Sequence, residues 1–302
     1  MAISRGTAST EGSAKPTSTA NLIGIANVRI LCVNPTMEEY NEILHFQPKE
    51  TPNYVSEQIV DGQTIKTARI TFWVELLPEH NSGVSGRTTL TFWIRSNVRY
   101  NNDKSKVQVI DKYGATTWVT IEQAKKREVP VGPYGPMVDA EYKGCHAGEE
   151  ELVNFLKNYL NLPSKTKDPV GASITLDEYD KYFAGDFKEL KEALTFLPNN
   201  TVQVLLGVKT GSDNIVRQDF YTNWFGRGWY NSENQNGYAR LLTKLNSDKA
   251  YGRYANSTFD ILPVKEYVIN ASVESNAQIP MFGGAAEPKA QEVKDEDDGL
   301  PF

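Results

Sequence analysis

Residues 68–76 read A-R-I-T-F-W-V-E-L, and residues 88–97 read T-T-L-T-F-W-I-R-S-N. Both carry the same unit, apolar-Thr-Phe-Trp-apolar. Side chains on a strand alternate faces, so Ile70, Phe72 and Val74 share one face, and Leu90, Phe92 and Ile94 the corresponding one. Trp73 and Trp93 then fall on the opposite face with Arg69 and Arg95. An exposed indole leaves apolar area uncovered unless a partner covers it. Indoles beside guanidinium groups suit planar rings carried on an anionic backbone. Every nucleobase has a π-face, and stacking on an aromatic side chain is worth roughly 1–3 kcal/mol per base without sequence readout. Further along lie Arg99, Lys104, Lys106 and Trp118, and then a second group, Arg217, Tyr221, Trp224, Arg227, Trp229 and Tyr230. The competing expectation for any one of these aromatics is a place in the core.

Other chemistry has little sequence support. No phosphate-binding loop, G-x-S-x-G or H-E-x-x-H occurs. Cys145 and His146 are adjacent rather than at zinc-ligand spacing, and Cys32, His45 and His80 are scattered. Asp177, Glu178 and Asp180 read as acids at a helix start, where they complement the helix dipole. Neither catalysis nor a cofactor or metal is expected.

The last eight residues form a third unit. Asp295, Glu296, Asp297 and Asp298 lead through Gly299 to Leu300, Pro301 and Phe302. Such a segment cannot fold alone. It can dock, with Phe302 in a pocket and its α-carboxylate on a basic group. This ending resembles the C-terminal tip of bacterial single-stranded DNA-binding proteins and some phage counterparts, in which an acidic run closes on Pro-Phe. The likeness covers eight of 302 residues. It implies that the tip recruits replication partners such as a polymerase, helicase or primase. The body is much longer than the bacterial DNA-binding domain, which implies a phage-type relative acting in replication, recombination and repair within a host cytoplasm.

The net charge of −6 argues against a nucleic-acid partner, but its distribution does not. Residues 65–130 carry eleven bases and six acids, a local +5, and residues 201–254 carry seven and four, +3. The acids gather at 141–200 (eleven against seven bases) and at 287–302 (six against two). Local sign governs a groove that tracks phosphates. Two cysteines make no disulfide framework and suit a reducing compartment. No apolar run is long enough to span a bilayer.

These patterns predict a flexible arm at 1–20, a strand over 21–33, and a short helix capped by Thr36. Pro48, Pro52 and Gly62 mark a loop. The twin strands follow, then a hairpin at 105–121 and a stiff linker at 130–136. Helices are expected at 148–160 and 176–197 (broken near Gly185), strands at 201–209 and 215–224, a short helix at 238–245 and a last strand at 259–271. Residues 273–302 read as an acidic disordered tail. The fold class expected is β-rich (α+β). It is an OB-fold-like β-barrel domain over 21–272, with an acidic helical insertion at about 141–200. Such barrels bind single strands on an outward sheet face and its loops. The expected function is single-stranded DNA binding without sequence preference. A β-rich carbohydrate-binding or virion module would explain exposed Trp equally well, but not the Pro-Phe tip.

Overall fold

The structure, a computed structural model, describes residues 21–60, 62–110, 116–125, 128–130, 136–138, 143–163, 179–195, 199–227 and 235–268. The expected arm, the acidic tail with its tip, and Trp229 and Tyr230 lie outside these residues. The chain begins with β1 (Leu22–Val33), α1 (Met37–Leu44), β2 (Val55–Val60), β3 (Gln63–Leu76) and β4 (Gly86–Val98). A smaller group follows: β5 (Lys106–Ile110), β6 (Thr116–Thr120), α2 (Ile121–Lys125), β7 (Glu128–Pro130), β8 (Pro136–Val138), β9 (Lys143–Gly144) and β10 (His146–Ala147). Then come α3 (Glu149–Leu160), α4 (Asp180–Phe183), α5 (Lys188–Thr195), β11 (Val202–Thr210), β12 (Val216–Gly226), α6 (Gln235–Ala250), β13 (Ser257–Phe259) and β14 (Lys265–Glu266).

The main sheet runs β10-β4-β3-β1-β11-β12, with β2 added to β3, β13 to β11 and β14 to β1. Every named pairing is antiparallel. Register shifts at Ile30/Cys32 on β1 and Val204/Leu206 on β11 add local twist, as bulges do. The sheet therefore curls into a half-barrel. Its far strands meet through side chains: Phe92 on β4 lies 5.5 Å from Phe220 and 6.0 Å from Phe225 on β12. Helix α3 fills the concave side. Phe155 reaches Phe72 at 4.9 Å, Phe225 at 5.1 Å and Phe92 at 5.3 Å. Truncating such a buried Phe costs about 3–5 kcal/mol, so the helix holds the curl.

β1 and β11 are buried on both faces, and their alternate residues feed two cores. Ala26, Val28, Val204 and Leu206 join the α3 core, while Ile25 and Leu205 join a second one beneath α6 with Tyr221, Leu241, Leu245 and Tyr254. Gly24 allows this burial: at φ +123° a Cβ there would stand 2.7 Å from the Leu262 carbonyl oxygen.

Several expectations differ from the structure. The stretch read as a loop before Gly62 contains the exposed strand β2. The last strand expected at 259–271 is two short pieces, β13 and β14, since Pro263 falls between them and lacks the N–H a ladder needs. The helix expected at 238–245 runs twice as far, 16 residues over Gln235–Ala250. The stiff linker is flanked by the paired strands β7 and β8. Among the described residues no helix is long and apolar enough to cross a membrane.

Candidate nucleic-acid interface

The twin strands pair in register, and the core phasing read from the sequence holds. Ile70, Phe72, Val74, Leu90, Phe92 and Ile94 are all buried. The outer face is built of cross-strand rows: Thr67 opposite Arg95, Arg69 opposite Trp93, Thr71 opposite Thr91, Trp73 opposite Thr89 and Glu75 opposite Arg87. Trp73 and Trp93 are thus two rows apart, roughly 13 Å along the strands at strand rise. They do not form a joint platform.

Their surroundings differ as well. Trp93 is 54% exposed. Trp73 is covered by the end of α1, with Tyr40 edge-on at 6.1 Å and Phe46 at 5.7 Å. Its Nε1 is buried without a hydrogen-bond partner among the described residues. The α1 helix is set there by a capping box between Thr36 and Glu39 and by the ion pair of Lys191 with Glu39 at 2.5 Å. The expectation that Trp73 faces outward beside Trp93 is corrected: it lies on the outer face of the strands but beneath a helix.

Arg69 completes the Trp93 site. Its guanidinium lies 5.8 Å from the Trp93 ring and 5.4 Å from the Tyr54 ring. One nitrogen donates to the Asn53 carbonyl at 2.8 Å. Burial pushes the Tyr54 hydroxyl well above its usual titration range, and that hydroxyl donates to the Pro35 carbonyl at 2.8 Å. Asn34 supports the same point of β3 from the side. Its Nδ2 donates to the Arg69 carbonyl at 2.9 Å, its Oδ1 accepts from the Thr71 amide at 2.7 Å, and its own amide donates to the Thr71 carbonyl at 3.0 Å. Arg95 stands exposed one row away with no ion-pair partner among the described residues. Beneath Trp93, Gly148 at φ +90° lets α3 begin where a Cβ would overlap the Trp93 carbonyl oxygen at 1.9 Å.

Other sequence candidates do not join this face. Trp118 is 37% exposed and carries Arg99 over its ring at 5.7 Å. Arg99 is itself held by Glu150 at 2.8 Å, Gln108 at 3.0 Å and Glu151 at 3.5 Å, so its charge is spent within the protein. Lys104 lies exposed at the turn before β5, and Lys106 is exposed at the first position of that strand. Tyr221 is fully buried and its hydroxyl donates to Asp248 at 2.6 Å; burial pushes its pKa up, and it offers no ring to a strand. Trp224 packs half-buried against the α6 core. Arg217 is paired with Asp213 at 2.5 and 2.9 Å, and that hydrogen bonding holds the Asp213 carboxyl far below the usual range. Arg227 is exposed.

Tyr54 and Asn34 escaped the sequence reading because each sits in a connection with no periodic pattern. Neither marks itself until the fold brings it beside β3. Comparison with protein-family models, curated proteins and solved structures finds no match to the chain.

Proposed function

We propose that this chain binds single-stranded DNA without sequence preference on the β3–β4 face, and that its acidic C-terminal tip recruits replication proteins. The observation that carries the reading is Trp93: an indole 54% exposed on a sheet, with the Arg69 guanidinium over its ring and Arg95 one row away. A π-face flanked by cations is what base stacking and phosphate neutralisation require. The strand path supports an OB-type barrel. Its five long strands in chain order are β1, β3, β4, β11 and β12, and β4 and β12 lie at opposite ends of the five-strand path without pairing. An OB-fold is a partly open five-stranded barrel that binds on the face of its second and third strands, here β3 and β4. The tip supports recruitment through its chemistry alone: an apolar Leu300-Pro301-Phe302 with four preceding acids.

The test is a titration with dT oligomers followed by Trp emission. Quenching, indifference to base sequence and steep weakening with salt are expected, the last from counterion release. Tighter binding to duplex than to single strand overturns the proposal.

A further inference from the structure

A cleft of about 580 Å³ opens beside the Trp93 site, between the start of α1, the 51–54 segment and α5. Its walls include Pro35, Met37, Pro52, Tyr54 and Phe187, and Lys188 and Lys191 stand on the α5 side. The volume lies within the range of small-ligand sites, about 300–1,000 Å³, which are likewise mostly apolar with a few placed polar groups. Two residues join cleft and face. Tyr54 lines the cleft and carries Arg69, and Asn34 lines it while holding the Arg69 and Thr71 backbone. Phe187 meets the Tyr54 ring edge-on at 6.2 Å. The two cations differ. Lys191 is tied to Glu39 at 2.5 Å, whereas Lys188 is 77% exposed in a looser pair, 3.8 Å from Glu192, a carboxylate that also lines the cleft.

We propose that this cleft is a second nucleotide subsite, which rests on the reading of the β3–β4 face as a single-strand site. A base turned out of the strand lies against Tyr54, Pro35 and Pro52, and the adjoining phosphate meets Lys188. The strand then runs from Trp93 over the Arg69–Tyr54 stack into the cleft. The helical segment that looks acidic in the sequence contributes a cation to the path. Nucleotide is favoured over a free small ligand because the cleft is continuous with the face through shared residues and carries one largely exposed cation, Lys188, on its α5 side.

The experiment uses the full chain, with dT oligomers carrying 4-thiothymidine for photo-cross-linking, and the variants Lys188→Glu, Thr51→Trp and Trp93→Ala. Thr51 is an exposed wall residue, so a Trp there obstructs the cleft without entering a core. Lys188→Glu is expected to weaken binding about 3- to 10-fold and lower the salt slope by about 0.7, the contribution of one single-strand phosphate. Cross-links to Met37 or Tyr54 are expected in the wild type and should vanish in Thr51→Trp. The cleft is refuted if both variants bind and cross-link as the wild type does while Trp93→Ala still loses affinity. If the wild type fails to bind dT at all, the face and the cleft fall together.

Discussion

Replacing Trp93 or Trp73 by Ala removes the same side chain from the same sheet face, yet the two changes should act on different quantities. Trp93 is 54% exposed and carries Arg69 over its ring at 5.8 Å. An exposed cation–π contact is worth about 0.5–1 kcal/mol. At this chain length that lowers the melting temperature by roughly 1–4 °C. The lost stacking, about 1–3 kcal/mol per base, weakens dT binding roughly 5- to 150-fold. Trp73 sits under Tyr40 and Phe46, and truncating a buried Trp costs about 3–5 kcal/mol. Two facts reduce this: the residue is not fully buried, and its unpartnered Nε1 carries a desolvation penalty of about 1–3 kcal/mol that leaves with the side chain. A net loss of about 2 kcal/mol remains, or roughly 4–8 °C. Thermal denaturation and a dT titration at low temperature on both variants separate the two effects. Wild-type affinity in Trp93→Ala, or lost affinity with unchanged melting in Trp73→Ala, would refute the assignment.

Gly148→Ala should destabilise the protein by at least about 2 kcal/mol, because φ +90° strains any Cβ and the Trp93 carbonyl occupies its place; a wild-type melting temperature contradicts this. The Glu39–Lys191 pair sets a pH dependence. Burial raises the Glu39 pKa, but hydrogen bonds from Lys191 and Thr36 outweigh it and hold the group below its ordinary range. A depressed carboxyl contributes above its ordinary value and loses that contribution as pH falls through the folded one. Glu39→Gln should therefore melt lower than wild type at pH 7, by under about 1 kcal/mol, with the gap closing as the pH falls below the ordinary carboxylate range; a gap that persists in acid rules out the pair as its source. Deleting residues 295–302 should tighten dT binding at low salt, since a tethered acidic run competes for the basic face, and added salt should erase the gain. Equal affinities at low salt would exclude that competition.

The parts of the fold that were legible came from strict alternation and from caps. The paired Thr-Phe-Trp units disclosed their core face because six apolar residues alternate without a break. Thr36 and Glu39 announced the start of α1. The exposure of the two Trp was not legible, since nothing local to Trp73 says that Tyr40 and Phe46, some thirty residues earlier, will lie over it. Strand β2 (V-S-E-Q-I-V) was hidden because it pairs on one side only and most of its side chains face solvent, so burial leaves no mark on its composition. Tyr221 looked like surface because Arg217 and Arg227 surround it in sequence. Its neighbours in space, Tyr254 and Phe259, lie more than thirty residues on.

Asn34 has a consequence for the timing of events at the face. β2 pairs with β3 up to Ala68, and β1 takes over at Phe72. Between them the Arg69 amide donates to the Tyr54 carbonyl at 2.7 Å, and one asparagine at φ +43° supplies the rest of that edge, the Arg69 carbonyl and both backbone polar groups of Thr71. The Thr71 amide is thus protected by a side chain rather than by a strand, and it opens whenever that side chain swings away. Its hydrogen-exchange rate reads the local opening of the β2–β3 fork separately from global unfolding, which the Phe72 and Val74 amides report. A strand lying across Arg69 and Trp93 would close the fork. Slowed exchange at Thr71 alone, with its neighbours in the sheet unchanged, would record occupancy of the face one amide at a time.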